Sequence, residues 1–236
     1  MKNNKFDYVQ VIYDERKKPL TSYPYHLTKY IFERYKLKKN QKILDIGCGR
    51  GEFLKGFMKC GLVGYATDQS DTVLKYLPKI NFKKSDIEND GIPFPDNFFD
   101  IVYSKSVIEH FYYPEKLVEE MFRVLKPGGI AITLCPSWEH NFRIYFEDYT
   151  HRTPFMKTSL KDIQEMNGFE NVTVEYFRQL PFLWNKKYLL FLAEISRIII
   201  PNFLYNSSSV NPINKWIRFS KEIMLLSSSI KPMLRK

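Results

Sequence analysis

Residues 43–51 read Ile43-Leu44-Asp45-Ile46-Gly47-Cys48-Gly49-Arg50-Gly51. A short apolar run gives way to three glycines at Gly-x-Gly-x-Gly spacing, and a helical pattern follows to Cys60. Glycine permits positive φ and lets the backbone approach a ligand closely. In an open parallel sheet such a loop lies beyond the carboxyl ends of the strands, where ligands bind at the reversal of strand order. A dinucleotide turn has Gly-x-Gly-x-x-Gly and sets a pyrophosphate on the helix N-terminus. The tighter spacing here, with Asp45 two residues ahead of the first glycine, suits a ligand amino group better than a pyrophosphate.

Outward from this loop, strand and helix patterns alternate. Strands are predicted at Lys42–Ile46, Leu62–Thr67, Asn81–Lys84, Phe99–Tyr103, Ile130–Leu134 and Val172–Phe177. Helices are predicted at Pro24–Tyr35, Gly51–Cys60, Ser70–Leu77 (stopped by Pro78), Pro114–Leu125 and Thr158–Met166. Pro127-Gly128-Gly129 reads as a turn. This rhythm with short connections implies an α/β fold, a mostly parallel sheet with helices on both faces. Beyond Arg178 the rhythm breaks. Lys186–Ile200 reads as an apolar helix, Asn206–Ser209 as a surface loop, Trp216 as part of a short helix or turn, and Glu222–Ser228 as a last strand that completes the sheet. The expected organisation is an N-terminal helical segment or lid (1–39), a ligand-binding core (40–178), a basic, apolar helical insertion (179–219), and the final strand and tail (220–236).

Composition narrows the setting. The apolar and charged fractions of the 236 residues are ordinary for a globular protein. Three cysteines (Cys48, Cys60, Cys135) are too few, and odd in number, for a disulfide framework, so a reducing, cytoplasmic compartment is expected. The first residues are basic but lack a signal-peptide core. The most apolar run, Tyr188–Leu204, is broken by Glu194, Arg197 and Pro201 and falls short of the ~20 apolar residues of a spanning helix. Of the net charge of +10, most sits from Arg178 onward, where ten Lys and Arg face two Glu. Such a region suits an anionic partner or simply keeps the chain soluble.

Further motifs fall at matching intervals after the glycine loop. The second strand ends at Asp68-Gln69, where a carboxylate can take ribose hydroxyls. Ser85-Asp86-Ile87 follows the third strand; Pro93–Val102 leads into the fourth, and Arg123–Gly129 into the fifth. Over roughly residues 40–178 the chain resembles the class I S-adenosylmethionine-dependent methyltransferases. The resemblance implies a Rossmann-like seven-stranded sheet with its last strand antiparallel, and S-adenosylmethionine as cofactor, leaving as S-adenosylhomocysteine. It places Asp45, Gly47, Cys48 and Gly49 at the methionine end, Asp68 and Gln69 at the ribose, Asp86 and Ile87 at the adenine, and Ser104 beside the cofactor.

The acceptor is read from what stands beside the cofactor. The tetrad of amino-methylating nucleic-acid enzymes is missing, since Ser104-Lys105-Ser106-Val107 occupies its place, and no Pro-Cys nucleophile is present. Ser106-Val107-Ile108-Glu109-His110 and Asp148-Tyr149-Thr150-His151-Arg152 resemble segments of quinone, small-molecule and glycan O-methyltransferases. Transfer to a hydroxyl needs its proton removed, and a histidine of near-neutral pKa suits that task. His110 and His151, with Glu109 beside them, are the candidate catalytic residues; a packed structural histidine is the plainer alternative for each. No metal is expected. Ser106 stands where metal-binding O-methyltransferases with the same Val-Ile-Glu-His run carry a glutamate ligand, which leaves Glu109, His110 and a third group such as His140.

The apolar 179–219 segment, with Lys186, Lys187, Arg197, Lys215 and Arg218, reads either as a helix packed on the sheet edge or as the acceptor side. In the second reading, residues 186–219 touch the inner membrane surface. Together these point to O-methylation of a glycan, nucleotide-sugar or lipid-linked small molecule, as in cell-surface polysaccharide assembly. RNA methylation ranks behind it because no RNA-binding module is recognisable. A cofactor-binding but inactive scaffold is the remaining alternative. No feature of the sequence points to a particular oligomeric state.

Overall fold

A computed structural model describes residues 8–12, 15–16, 18–184, 186–200 and 212–233. The Asn206–Ser209 run, the side chains of Lys187 and Lys215, and residues 234–236 lie outside the described residues. The strands are β1 (Lys42–Ile46), β2 (Val63–Asp68), β3 (Asn81–Lys84), β4 (Phe99–Lys105), β5 (Leu125–Pro136), β6 (Glu170–Arg178) and β7 (Ile223–Ile230). They form one seven-stranded sheet in the order β3-β2-β1-β4-β5-β7-β6. β1 to β5 pair in parallel, and β7 runs antiparallel to both β5 and β6. This is the Rossmann-like arrangement expected from the sequence. The last strand completes the sheet from within, because it inserts between β5 and β6 and leaves β6 at the edge.

Eleven helices are described: α1 (Tyr8–Ile12), α2 (Tyr23–Arg34), α3 (Glu52–Lys59), α4 (Val73–Tyr76), α5 (Ile87–Asp90), α6 (Pro114–Val124), α7 (Trp138–Asn141), α8 (Lys157–Met166), α9 (Pro181–Trp184), α10 (Leu190–Ile199) and α11 (Pro212–Lys221). Side chains alternate across a strand, and β1 shows what that does. Leu44 and Ile46 join Val102, Ala131 and Leu225 in a core with Leu117, Val118 and Met121 of α6 and Leu160 of α8. Ile43 points the other way and joins Ile101, Ile132 and Leu226 in a second core with Leu27 and Ile31 of α2 and Leu54 and Phe57 of α3. Each fully buried Leu, Ile or Phe contributes about 1.5–3 kcal/mol relative to exposure. Apolar residues on both faces of β1 therefore fix it at the centre of the sheet with helices above and below.

Two local expectations shift. Pro127-Gly128-Gly129 does not turn out of the sheet but lies within β5. The N–H of Gly128 (φ 75) donates to the Lys231 carbonyl, and the N–H of Lys231 donates to Gly129, so residues just past β7 keep this run paired. The helix expected over Ser70–Leu77 shrinks to Val73–Tyr76, because the Ser70 hydroxyl accepts from the Thr72 N–H and holds residues 70–72 in a turn.

The described residues between 179 and 221 fold around a small core of Leu180, Leu183 and Ala193 with Trp216 and Phe219 packed on it. Phe182 and Trp216 stack at 5.4 Å, and the Trp216 indole N–H donates to Ser196 Oγ. α10 carries Tyr188, Phe191, Leu192, Ile195, Ile198 and Ile199 exposed on or just before it, at helical spacing. No helix among the described residues is long and apolar enough to cross a membrane.

The α2–α3 contact is tight at Gly56, where a β-carbon would meet Thr28 Oγ1 at 2.3 Å. In an open helix Gly→Ala gains up to about 1 kcal/mol. Overpacking of this kind costs about 1–3 kcal/mol, so the clash decides the sign. We expect Gly56→Ala to lower stability by about 1–2 kcal/mol in urea unfolding, and Thr28→Ala in the same chain to recover part of that loss.

Candidate functional site

The carboxyl ends of β1 and β4 meet at the reversal of strand order, the place where open α/β sheets bind ligands. β1 delivers Asp45 and then the glycine loop. Gly47, Gly49 and Gly51 all have positive φ (65°, 52° and 74°). Gly47 donates its N–H to the Thr67 carbonyl at 2.9 Å, so the loop hangs from the end of β2. A β-carbon on Gly47 would lie 2.3 Å from Val107 Cγ2, whereas one on Gly49 would meet nothing within 4 Å. The loop is thus pressed against the segment after β4 on one side and open on the other.

Asp45 is buried at 3% exposure. Burial, and then the neighbouring Asp68 carboxylate, push its pKa up to about 8. A ligand ammonium placed here would restore its charge. Asp68 accepts the Gly49 N–H on Oδ2 and the Ser70 N–H on Oδ1, both at 2.8 Å, which fixes the carboxylate plane at the end of β2. Gln69 beside it is exposed. Cys48 is buried, and burial raises its thiol pKa far above the usual value, so it lines the loop as an apolar group. Asp86 precedes α5, its carboxylate accepting from the Asn89 amide, and Ile87 is buried next to it. Ser104 is buried on β4 with an unpartnered hydroxyl. The open face at Gly49, the buried Asp45 carboxyl and the orphaned Ser104 Oγ fit a ligand carrying a cationic head and polar atoms, as S-adenosylmethionine does.

The second half of the site is built on the turn after β4. Ser106 takes φ 57, a backbone that side chains rarely adopt, and its N–H donates to the Leu134 carbonyl. The 3-10 turn Ile108–His110 follows. The loop carrying His151 is tied to this turn by its backbone. The N–H groups of Arg152 and Thr153 both donate to the Glu109 carbonyl, and Thr153 Oγ1 donates to that of Phe111. The His110 and His151 rings consequently lie 4.9 Å apart, edge to face.

Hydrogen bonds set the protonation of both rings. His151 Nδ1 lies 2.6 Å from the Tyr145 carbonyl, which can only accept, so Nδ1 carries the proton. His110 Nδ1 lies 2.9 Å from Thr150 Oγ1, whose own proton goes to Asp148 Oδ1. That bond also makes His110 Nδ1 the donor. Both rings therefore keep a lone pair on Nε2. Burial, and next His151, hold the His110 pKa down at about 4. Burial likewise lowers that of His151.

Glu109 is fully buried, neither carboxylate oxygen has a hydrogen-bond partner, and burial raises its pKa to about 8. One ligand atom from each of Glu109, His110 and His151 lies within 4.8 Å of the others. His140, the third group suggested by sequence, is elsewhere. It accepts or donates at Ser137 Oγ and packs edge-on to Tyr176.

Three residues outside the sequence-derived set also shape the site. Lys105, whose pKa burial lowers to about 8, acts electrostatically on Glu109 and lies over the Phe53 ring. Asp148 carries Thr150 and accepts from the Tyr8 hydroxyl of α1 at 2.8 Å. Tyr8 in turn packs edge-on to His110. Lys105 had a signal, a charge closing an otherwise buried strand. Tyr8 had none, since its contact spans 140 residues.

A methyltransferase-domain family profile matches residues 44–133, from β1 into β5. The chain's fold is that of class I S-adenosylmethionine-dependent methyltransferases. It is 36% identical over 110 residues to a sterol 24-C-methyltransferase of Schizosaccharomyces pombe, covering 43% of this chain and 29% of that protein. It is 32% identical over 113 residues to a ubiquinone/menaquinone biosynthesis C-methyltransferase of Neisseria gonorrhoeae, covering 42% and 44%. The chain thus spans less than half the length of these curated relatives. Among solved structures, a chain of the complex between the Haloferax volcanii Trm112 methyltransferase activator and its methyltransferase superposes with TM-score 0.70 at 19% identity, over 96% of this chain and 99% of that one.

Asp45 offers a thermodynamic check. Its raised folded-state pKa means that the folded chain binds this proton more tightly than the unfolded chain does. The stability it contributes is full below pH ~4 and is lost as pH rises toward about 8, by at most ~1.4 kcal/mol per unit. We expect Asp45→Asn to be more stable than the parent in ligand-free protein, with a difference that grows from pH 5 to pH 8 in urea unfolding.

Proposed function

We propose that this chain binds S-adenosylmethionine in the crevice beyond β1 and β4 and transfers its methyl group to an oxygen acceptor seated at Glu109, His110 and His151. One observation carries the reading. The closeness of Gly47 to Val107 sets the glycine loop beside the turn that carries Glu109 and His110, which supports a shared cofactor and acceptor site. Asp45 faces the cofactor ammonium, Asp68 the ribose hydroxyls with exposed Gln69 beside it, Asp86 and Ile87 the adenine, and Ser104 the sulfonium side. The sulfonium methyl is already activated, so positioning supplies most of the rate and no covalent enzyme intermediate is needed. The acceptor proton goes to a neutral histidine Nε2. His151 is the better placed of the two, because a base at about 4 has little driving force at neutral pH.

The acceptor class is read from the 179–221 region. The exposed apolar stripe of α10, together with exposed Lys186, suits a lipid-linked glycan or nucleotide-sugar presented at an anionic, inner membrane surface. Methyl transfer to carbon is a second reading, favoured by the names of the two curated relatives.

Two measurements test this. Calorimetric titration with S-adenosylhomocysteine should show one site per chain, weakened at least tenfold in Asp68→Ala; no binding to the parent chain would sink the proposal. With any accepted hydroxyl substrate, His151→Ala should lower kcat by ~10²–10⁴-fold while leaving S-adenosylhomocysteine binding unchanged. In the parent, kcat should rise with pH through the His151 pKa and be level by pH 7.

A further inference from the structure

The Glu109–His110–His151 cluster has donor chemistry that the transfer reaction alone does not explain. Two imidazoles share one arrangement: each has its Nδ1 proton committed to an oxygen, Tyr145 O for His151 and Thr150 Oγ1 for His110. A metal-bound histidine is held in this way, with one nitrogen donating to a second oxygen so that the other keeps its lone pair outward. Near them lies the Glu109 carboxylate, at 0% exposure and with neither oxygen bonded to another side chain. A buried carboxylate costs several kcal/mol, and nearby backbone N–H groups and the Lys105 charge offset that cost only in part. Asp148, linked to His110 through Thr150, adds negative charge beside the cluster, and Lys105 on the Glu109 side opposes it.

We propose that Glu109, His110 and His151 form a three-ligand site for a divalent transition-metal ion. Two neutral nitrogens and one carboxylate, each offering an atom within 4.8 Å of the others, suit such an ion and leave positions open for further ligands. The sequence led to the opposite expectation because Ser106 removes one glutamate ligand, and the third group it offered beside Glu109 and His110 was His140. The fold instead brings in His151, by bonding the Arg152 and Thr153 N–H groups to the Glu109 carbonyl.

The catalytic part of this inference rests on the transferase reading; the ion site itself stands on the side chains. An acceptor hydroxyl bound to the ion loses its proton to water more readily than a free one. Its oxygen then takes the methyl carbon while the carbon–sulfur bond breaks and sulfur keeps the electron pair. With the ion bound, the two imidazoles would be its ligands, and water would take the proton that metal-free protein gives to His151 Nε2.

The test is titration of chelator-treated, full-length protein with Co²⁺, followed by visible absorption, alongside S-adenosylhomocysteine titration of the same samples. One equivalent of Co²⁺ should bind, at least tenfold more weakly in Glu109→Gln and in His151→Ala. His140→Ala should bind as the parent does. Circular dichroism confirms that each variant is folded. No saturable binding, or binding equally affected by His140→Ala, overturns the site. S-adenosylhomocysteine binding decides the transferase reading separately: it can persist where Co²⁺ binding is absent, or fail where Co²⁺ binds.

Discussion

Everything at the site depends on one close approach. The Gly47 backbone lies so near Val107 that no β-carbon fits between them. Parallel pairing of β1 with β4 brings the two segments to the same end of the sheet. The absent side chain then lets them touch. The glycine loop and the turn that carries Glu109 and His110 become adjacent without any long-range device. The left-handed backbone at Ser106 turns the chain back under Leu134 and supplies the rest of that geometry.

Near this contact stand two buried side chains, Ser104 and Glu109, whose polar atoms have no partner within the chain. Other buried polar groups are paired, as where Gln164 bonds Ser227 within the sheet-helix interface, although Ser220, Ser229 and Arg178 Nε are also left open. An unpaired buried group lowers stability wherever it sits; at Ser104 and Glu109 a bound ligand would supply the missing partners.

Much of this was legible in the sequence, for physical reasons. Strand periodicity, the glycine spacing and the acidic strand ends are local signals, and they predict a parallel sheet with a crevice beyond β1 and β4. Long-range placement was not legible. The partner of His110 could have been His140 or His151, and only the backbone bonds from Arg152 and Thr153 to Glu109 distinguish them. Tyr8, reaching Asp148 from α1, carries no periodic or spacing signal. Pro127-Gly128-Gly129 has turn chemistry, yet pairing with Lys231 keeps it in the sheet, a case of tertiary context overriding local preference.

The position of β7 has a kinetic meaning. β6 pairs with β7 alone, and β7 is joined to β6 through residues 179–222. The two strands therefore leave the sheet together whenever β7 lets go of β5, so the amides of β6 can be shielded from solvent exchange no longer than those of β7. The side chains of β6 and β7 nevertheless close both cores, Val172 and Leu225 on one face and Phe177 and Leu226 on the other, so release of the pair opens the interior on each side of the sheet.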